Sequence, residues 1–410
     1  MNPTSIFYII IGILLFDFIL GHVLDYLNAR HYDDKIPAEL NDVYNETEYF
    51  RSQAYKKENY RFSVITSVIS FLALMAFFYW KGFAWLDEIA RGYSSNEIVV
   101  GLIFFGILFF INDILTTPFS YYQTFVIEEK YGFNKSTKKT FIMDMLKGWA
   151  LALILGGLVL GLIIYFYTLT LDKFWIYTWL FITVFTLFFT LFYSTLIVPI
   201  FNKQKPLEDG PLRNAIQEFA GSVGFSLKDI FVIDGSKRST KANAYFAGFG
   251  PKKRIVLYDT LINDLTTGEI VGVLAHEIGH YKKKHVFWNM ALSVLITGFT
   301  LYILSLFIQN AALSASLGVP LPSFHIGLIA FGILYSPISE ITGILMQVIS
   351  RKFEFQADDY AKTNYNASDL IQALKKLSQK SFSNLTPHKA YVFFHYSHPP
   401  LLERVRNLDK

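Results

Sequence analysis

The chain has 410 residues, 52% of them hydrophobic and 17% aromatic, with a net charge of +4 from 37 Lys and Arg against 33 Asp and Glu. So apolar an average, with several apolar stretches of about 20 residues, marks a membrane protein rather than a soluble domain. The lack of cysteine excludes disulfides, thiol nucleophiles, thiolate zinc sites and cysteine-held iron–sulfur clusters, so any metal must be held by His, Asp or Glu, and the small positive charge sits in particular loops and gives no sign of nucleic-acid binding.

Seven membrane spans are predicted, at about 5–27, 62–84, 98–120, 148–168, 174–196, 286–308 and 324–349. Met1-Asn2-Pro3-Thr4-Ser5 carries no basic residue and no small-residue cleavage site follows, so the first span reads as a retained anchor. The fourth and fifth spans are joined at Leu171-Asp172-Lys173 as a helical hairpin. Loop 28–61 carries Arg30, Lys35, Arg51, Lys56, Lys57 and Arg61, and loop 121–147 carries Lys130, Lys135, Lys138, Lys139 and Lys147. Segment 197–285 and the tail after 350 are basic too, whereas the alternate connections are poor in Lys and Arg. By the positive-inside rule the N-terminus lies outside and the C-terminus in the cytoplasm, as an odd number of spans requires. The chain then divides into 1–196 with five spans, 197–285 on the cytoplasmic side, 286–349 with two spans, and a cytoplasmic tail 350–410.

In 197–285, Pro211 opens a helix with Leu212, Ile216, Phe219 and Val223 at helical spacing. Ile230–Asp234, Asn243–Phe249 and Arg254–Asp259 read as short strands. Thr266-x-x-Glu269 is a capping box that starts a further helix, expected to run on into the sixth span. That helix carries His276-Glu277-Ile278-Gly279-His280. Residues four apart share a helix face, so His276 and His280 can offer two imidazoles to one metal, with Glu277 beside them; this is the H-E-x-x-H signature of zinc peptidases. After the seventh span, Leu370, Leu374 and Leu377 mark another amphipathic helix, and Pro399-Pro400 suits the first turn of a last one.

A catalytic zinc needs a third protein ligand, with a position left for water. Glu354, in Glu354-Phe355-Gln356-Ala357-Asp358, is the best candidate, because two spans lie between it and His280 and return the chain to the same side. Asp358, four residues on, would orient a histidine ligand or pass a proton. Glu277 would take a proton from the attacking water and deliver it to the leaving amine. His398 and Arg404, in His398-Pro399-Pro400-Leu401-Leu402-Glu403-Arg404, lie on the side where an oxyanion would need a donor. His285 is a further candidate ligand, but it lies five residues beyond His280 and so points off the metal face; His31, His325, His388 and His395 read as structural.

At this point the sequence resembles the type 1 CAAX prenyl proteases, integral-membrane zinc metallopeptidases that include the yeast a-factor-converting enzyme. The likeness is carried, in order, by Tyr122-Gln123-Thr124-Phe125-Val126-Ile127-Glu128-Glu129 with Gly132-Phe133-Asn134-Lys135, by Pro199-Ile200-Phe201-Asn202-Lys203 with Pro206-Leu207, by Asn243-Ala244-Tyr245-Phe246, and by the H-E-x-x-H, E-F-Q-A-D and H-P-P-L-L-E-R segments. The resemblance implies one Zn2+ on His276, His280 and Glu354, with Glu277 catalytic and His398 and Arg404 stabilising the transition state. It implies a mainly α fold, a seven-helix transmembrane enclosure around a water-filled chamber, with a cytoplasmic zincin-like metalloprotease domain containing a small β-sheet. It also implies that Asn243, Ala244 and Tyr245 lie on an edge strand that binds the substrate backbone by strand addition. The partners are a peptide or protein substrate, prenylated in this family, and the lipid bilayer, and the chain is expected to work as a monomer.

Asp17, His22, Asp25, Asn112, Asp113 and Glu340 interrupt the spans and should face water or one another, as lining and helix-pairing groups or as a proton path. Eukaryotic members of the family work in the endoplasmic reticulum. The short loops here, and an end at Val405-Arg406-Asn407-Leu408-Asp409-Lys410 without a dilysine signal, suggest a bacterial homologue in the cytoplasmic membrane. Bacteria generally lack protein prenylation, which leaves open a general quality-control endopeptidase of membrane proteins, beside a zinc-binding transporter without activity. An intramembrane protease of the site-2 type is disfavoured, because Lys282-Lys283-Lys284 puts the motif at the membrane surface.

Overall fold

The computed structural model describes residues 2–227, 229–247 and 254–410, with the backbone alone at 246–247. Its helices begin with α1 (Pro3–Ala29), where Asn2 caps the first turn through Thr4 N–H and Pro3 takes the first helical position. Then come α2 (Glu46–Tyr79), α3 (Gly82–Tyr93), α4 (Glu97–Tyr122), α5 (Lys138–Leu151), α6 (Gly157–Thr170), α7 (Phe174–Leu196) and the short α8 (Val198–Phe201). The zinc-motif region holds α9 (Pro211–Ser222), α10 (Asp259–Asp264) and α11 (Thr267–Lys282), followed by α12 (His285–Phe307), α13 (Ala311–Ser316) and α14 (Phe324–Asn364). The tail folds as α15 (Ala367–Lys380), α16 (Lys389–His395) and α17 (Leu401–Leu408).

Among the described residues, six helical segments are long and apolar enough to cross a membrane: 3–29, 46–79, 97–128, 138–201, 285–307 and 324–364. Only 6–17% of their most apolar windows is buried. Side chains such as Leu72, Ile154, Val184, Leu295 and Ile341 are exposed, as lipid-facing groups are. The 64-residue segment 138–201 contains α5, a π-helical stretch at Ala152–Gly156, α6, a 3-10 turn at Leu171–Lys173 and α7. Leu171 takes φ +44 in that turn, and α6 packs on α7. The expected hairpin is present, but the count of membrane-long segments is six.

Two helices reach further than their apolar runs suggested. α2 is 34 residues long and α14 is 41. At 1.5 Å per residue they measure roughly 50 and 60 Å, against about 30 Å of hydrocarbon. Half of the basic loop 28–61 is thus helix, and α14 carries its polar end, with Glu354 and Asp358, well beyond its apolar half.

Three of the polar residues of the spans pair helices. Ser336 donates to Asp17 at 3.2 Å between α14 and α1, His22 Nε2 meets Ser67 Oγ at 3.1 Å between α1 and α2, and Trp149 donates to Asp113 at 3.1 Å between α5 and α4.

Strands β1 (Gln204–Pro206), β2 (Asp229–Ile233), β3 (Ala244–Ala247) and β4 (Arg254–Tyr258) form one mixed sheet in the order β1-β2-β4-β3. β2 and β4 run parallel, and the two outer pairs are antiparallel. β3 is an edge; the predicted strand over Asn243–Phe249 runs past it, and 248–249 lie outside the described residues. Ile216 and Phe219 of α9, Ile255 and Leu257 of β4, Ile270 and Leu274 of α11 and Leu370 of α15 share one core. That core joins segment 197–285 to the tail and also takes in Leu40, Val43 and Tyr44 from the first loop.

α11 opens on the predicted capping box: Thr266 N–H donates to Glu269 Oε2 at 2.8 Å and Glu269 N–H to Thr266 Oγ1 at 3.3 Å. It does not continue into the next span, contrary to expectation. α11 ends at Lys282, Lys284 adopts a left-handed conformation at φ +59, and α12 starts afresh at His285.

Candidate metal centre

α11 and α14 pack side by side, and Gly279 is the reason they come so close. A Cβ there would lie 3.0 Å from Tyr360 Cβ and 3.1 Å from the Cα and carbonyl oxygen of Ala357. Across this contact His276, His280 and Glu354 converge, each offering one donor atom within 4.8 Å of the others. His276 Nε2 is 3.1 Å from His280 Nε2 and 3.4 Å from Glu354 Oε2, and His280 Nε2 is 3.2 Å from Glu354 Oε1. Donors about 2.05 Å from a shared tetrahedral centre lie about 3.3 Å apart, so these spacings fit zinc. Glu354 Oε2 is buried and has no hydrogen-bond partner, which a cation would supply. Two neutral imidazoles and a carboxylate are the donor set of a hydrolytic zinc site.

The groups behind the donors hold them in place. Asp358, fully buried, lies 2.8 Å from His276 Nδ1 through Oδ1. Arg404 on α17 donates to Asp358 twice, Nε to Oδ2 at 2.9 Å and Nη2 to Oδ1 at 2.6 Å, and its Nη1 lies 3.6 Å from Glu354 Oε2. Burial and the Arg404 charge both push the His276 ring towards neutrality, but the neighbouring carboxylates of Asp358 and Glu354 outweigh them and raise it to about 9.

Glu277, His280, Glu354 and His398 line a cavity of ≈ 770 Å³, with Ala244 and Tyr245 of β3 and Tyr193 and Ser194 of α7 on its other walls. His398 Nε2 is 3.3 Å from Glu354 Oε1, and its Nδ1 is 2.9 Å from Ser397 Oγ. Of the two groups expected at an oxyanion, His398 is on the cavity wall, whereas Arg404 is buried behind the donors against Asp358. Asn243 is exposed just before β3, and its Oδ1 accepts from Ala244 N–H at 2.8 Å.

Two contributors were not anticipated. Arg351 Nη1 donates to the carbonyls of Val392 at 3.1 Å and Tyr396 at 2.5 Å, fixing the loop that presents His398. His285 was expected to point away from the site, yet it touches His280. Its expected direction assumed an unbroken helix. Neither contact has a local sequence signal, because each joins segments distant in the chain or depends on the left-handed Lys284.

Comparison with known proteins agrees along the whole chain. The family model described as CAAX prenyl protease N-terminal, five membrane helices, matches residues 25–203, and that of Peptidase family M48 matches residues 206–410. CAAX prenyl protease 1 of Saccharomyces cerevisiae is 34% identical over 414 residues, covering 94% of this chain and 91% of the yeast protein. The CAAX prenyl protease 1 homolog of Dictyostelium discoideum is 37% identical over 421 residues, covering 98% and 97%. The crystal structure of S. mikatae Ste24p superposes with a TM-score of 0.93 at 33% identity, over 99% of each chain.

Proposed function

The chain belongs to the CAAX prenyl protease 1 family within the M48 peptidases, and from that premise we propose that His276, His280 and Glu354 hold one catalytic Zn2+ and that Glu277 is its general base. The protein is an integral-membrane zinc metalloendopeptidase. The observation that carries the residue assignment is the convergence of the three donors from α11 and α14, two of which, His280 and Glu354, line a cavity with Glu277.

Zinc in this site supplies Lewis acidity towards the scissile carbonyl and the attacking water. Glu277 takes the proton of that water and returns it to the leaving amine. His398 donates to the developing oxyanion from the cavity wall. Asp358 sets the His276 tautomer, and Arg404 acts chiefly by fixing Asp358 while adding positive charge behind the donors. An extended substrate adds to the open edge of β3 at Asn243, Ala244 and Tyr245, which directs its backbone along the cavity towards Glu277.

We read 138–201 as two crossings joined at Leu171–Lys173, which gives seven spans around a chamber with the N-terminus outside. The basic loops support a cytoplasmic position for the zinc site. Segments 197–285 and 350–410 then form the peptidase part on one side of the membrane, and the shared core of α9, α11 and α15 supports that division. The substrate is the C-terminal region of a prenylated protein, as the names of the yeast and Dictyostelium relatives suggest, and one chain suffices for activity.

The test is metal analysis of the detergent-purified protein together with cleavage of matched farnesylated and unmodified peptides. One zinc per chain and faster cleavage of the farnesylated peptide are expected. Equal rates would replace the prenyl-directed reading by that of a general membrane endopeptidase.

A further inference from the structure

His276 is fixed by a carboxylate, but His280 is backed by another histidine. His285 Nδ1 lies 3.0 Å from His280 Nδ1, and His285 Nε2 lies 2.8 Å from Gln356 Oε1. His285 is 2% exposed, at the wall of the cavity that Glu277 and His280 line. Its ring stacks on Phe353 with centroids 4.1 Å apart and planes 7° from parallel. Phe353 and Gln356 flank Glu354 on α14, so one turn of this helix supplies a metal donor, the stacking surface and the end of the row.

We propose that His285 and Gln356 are positioning residues that set the tautomer of His280 so that its Nε2 keeps a lone pair for the metal; this rests on the zinc donors assigned above. Two ring nitrogens in hydrogen-bond contact need one N–H and one lone pair between them. The row His280–His285–Gln356 therefore has two consistent settings when both rings are neutral. In the first, the Gln356 carbonyl accepts from His285 Nε2–H, His285 Nδ1 accepts from His280 Nδ1–H, and His280 Nε2 is left as a lone pair. In the second, the Gln356 amide donates, His285 donates from Nδ1, and His280 carries its proton on Nε2. The second setting has no donor for a metal. The structure has the Gln356 carbonyl facing His285, which is the first setting.

The geometry depends on the chain break between α11 and α12. On a continuous helix His285 would sit about 140° round from His280 and could not reach it. Lys284, at φ +59, turns the chain so that the first residue of α12 folds back onto the last histidine of the motif. The E-F-Q-A-D segment thus serves both rings: Gln356 acts on His280 through His285, and Asp358 acts on His276 directly.

The proposal is tested on the full-length protein in detergent by competition for zinc with a chromophoric chelator at fixed pH. Four variants are compared: His285→Phe, which keeps a stacking ring without nitrogens, Gln356→Leu, which removes the acceptor, Gln356→Glu, which keeps one, and His280→Ala. His285→Phe and Gln356→Leu should bind zinc about 10–100-fold more weakly, with Gln356→Glu within about threefold of the parent. His280→Ala should lose stoichiometric zinc. Gln356 is only partly buried, so the Leu and Glu pair decides the matter if His285→Phe is not recovered folded. Parent-like affinity in Gln356→Leu, or equal losses in Gln356→Leu and Gln356→Glu, overturns the proposal. Undiminished zinc in His280→Ala would instead overturn the donor set itself.

Discussion

Arg404 grips Asp358 with two parallel hydrogen bonds, at 2.9 and 2.6 Å, while the same carboxylate lies 2.8 Å from His276 Nδ1. Asp358 is fully buried and Arg404 only 8% exposed, so the pair has no water to fall back on. Removing one partner of such a pair typically costs about 3–5 kcal/mol, because the other is left charged and alone. Asp358→Ala and Arg404→Ala should each lower stability on that scale. Asp358→Ala should also weaken zinc binding about 10–100-fold. Arg404→Lys should not restore the parent, since an ammonium cannot make the paired bonds of a guanidinium. Thermal unfolding and zinc competition measure the two effects separately.

Gly279 sits where α11 and α14 touch, with only 3.0 Å between its missing Cβ and Tyr360 Cβ. Gly279→Ala should force the helices apart at a cost of about 1–3 kcal/mol and separate the histidines from Glu354. Reduced zinc affinity is expected together with reduced stability. Gly221→Ala in α9, where a Cβ would meet nothing within 4 Å, is the control and should be neutral or slightly stabilising.

The start of α11 responds to acid. Burial would raise the Glu269 carboxyl, but the Lys376 ammonium and the Thr266 N–H outweigh it and hold it below its ordinary value. The folded state thus binds this proton less readily than the unfolded chain. Its stabilising effect is complete at neutral pH and is lost as pH falls through the ordinary glutamate range towards the lowered value. Glu269→Gln should unfold at a lower temperature than the parent at pH 7, by an amount worth about 1–2 kcal/mol, and the gap should narrow at pH 4. A gap unchanged between the two pH values would contradict this assignment.

His398 lines the cavity and touches no metal-site nitrogen, only Glu354 Oε1 at 3.3 Å. His398→Ala should keep zinc and lower kcat about 10²–10³-fold, the scale of a lost oxyanion donor. Arg351→Ala, which frees the carbonyls of Val392 and Tyr396, should move kcat in the same direction by less and leave zinc affinity unchanged. Steady-state kinetics on zinc-replete protein distinguish these from metal-site defects.

Much of this site could be read from residue order. His276 and His280 are one helical turn apart, and that spacing depends only on the helix. Glu354 followed from counting spans back to the same side, and the Thr266–Glu269 box from a four-residue pattern that both hydrogen bonds satisfy. The contacts of His285 were not legible, because they depend on Lys284 leaving the helix with φ +59, and a lysine carries no signal for that conformation. Arg351 was equally hidden, since its acceptors are backbone carbonyls some 40 residues on, at Val392 and Tyr396. Hydropathy located the apolar runs but not the polar extensions of α2 and α14, because those extensions carry no apolar run.

The central claim is that Glu277 moves the proton while His276, His280 and Glu354 hold the zinc. Glu277→Gln keeps the size and polarity of the side chain but removes its basicity. Zinc content and peptide cleavage should be measured on the same preparation of this variant. The account predicts one zinc per chain and no cleavage above background. Cleavage at a rate near the parent's in zinc-replete Glu277→Gln would contradict it.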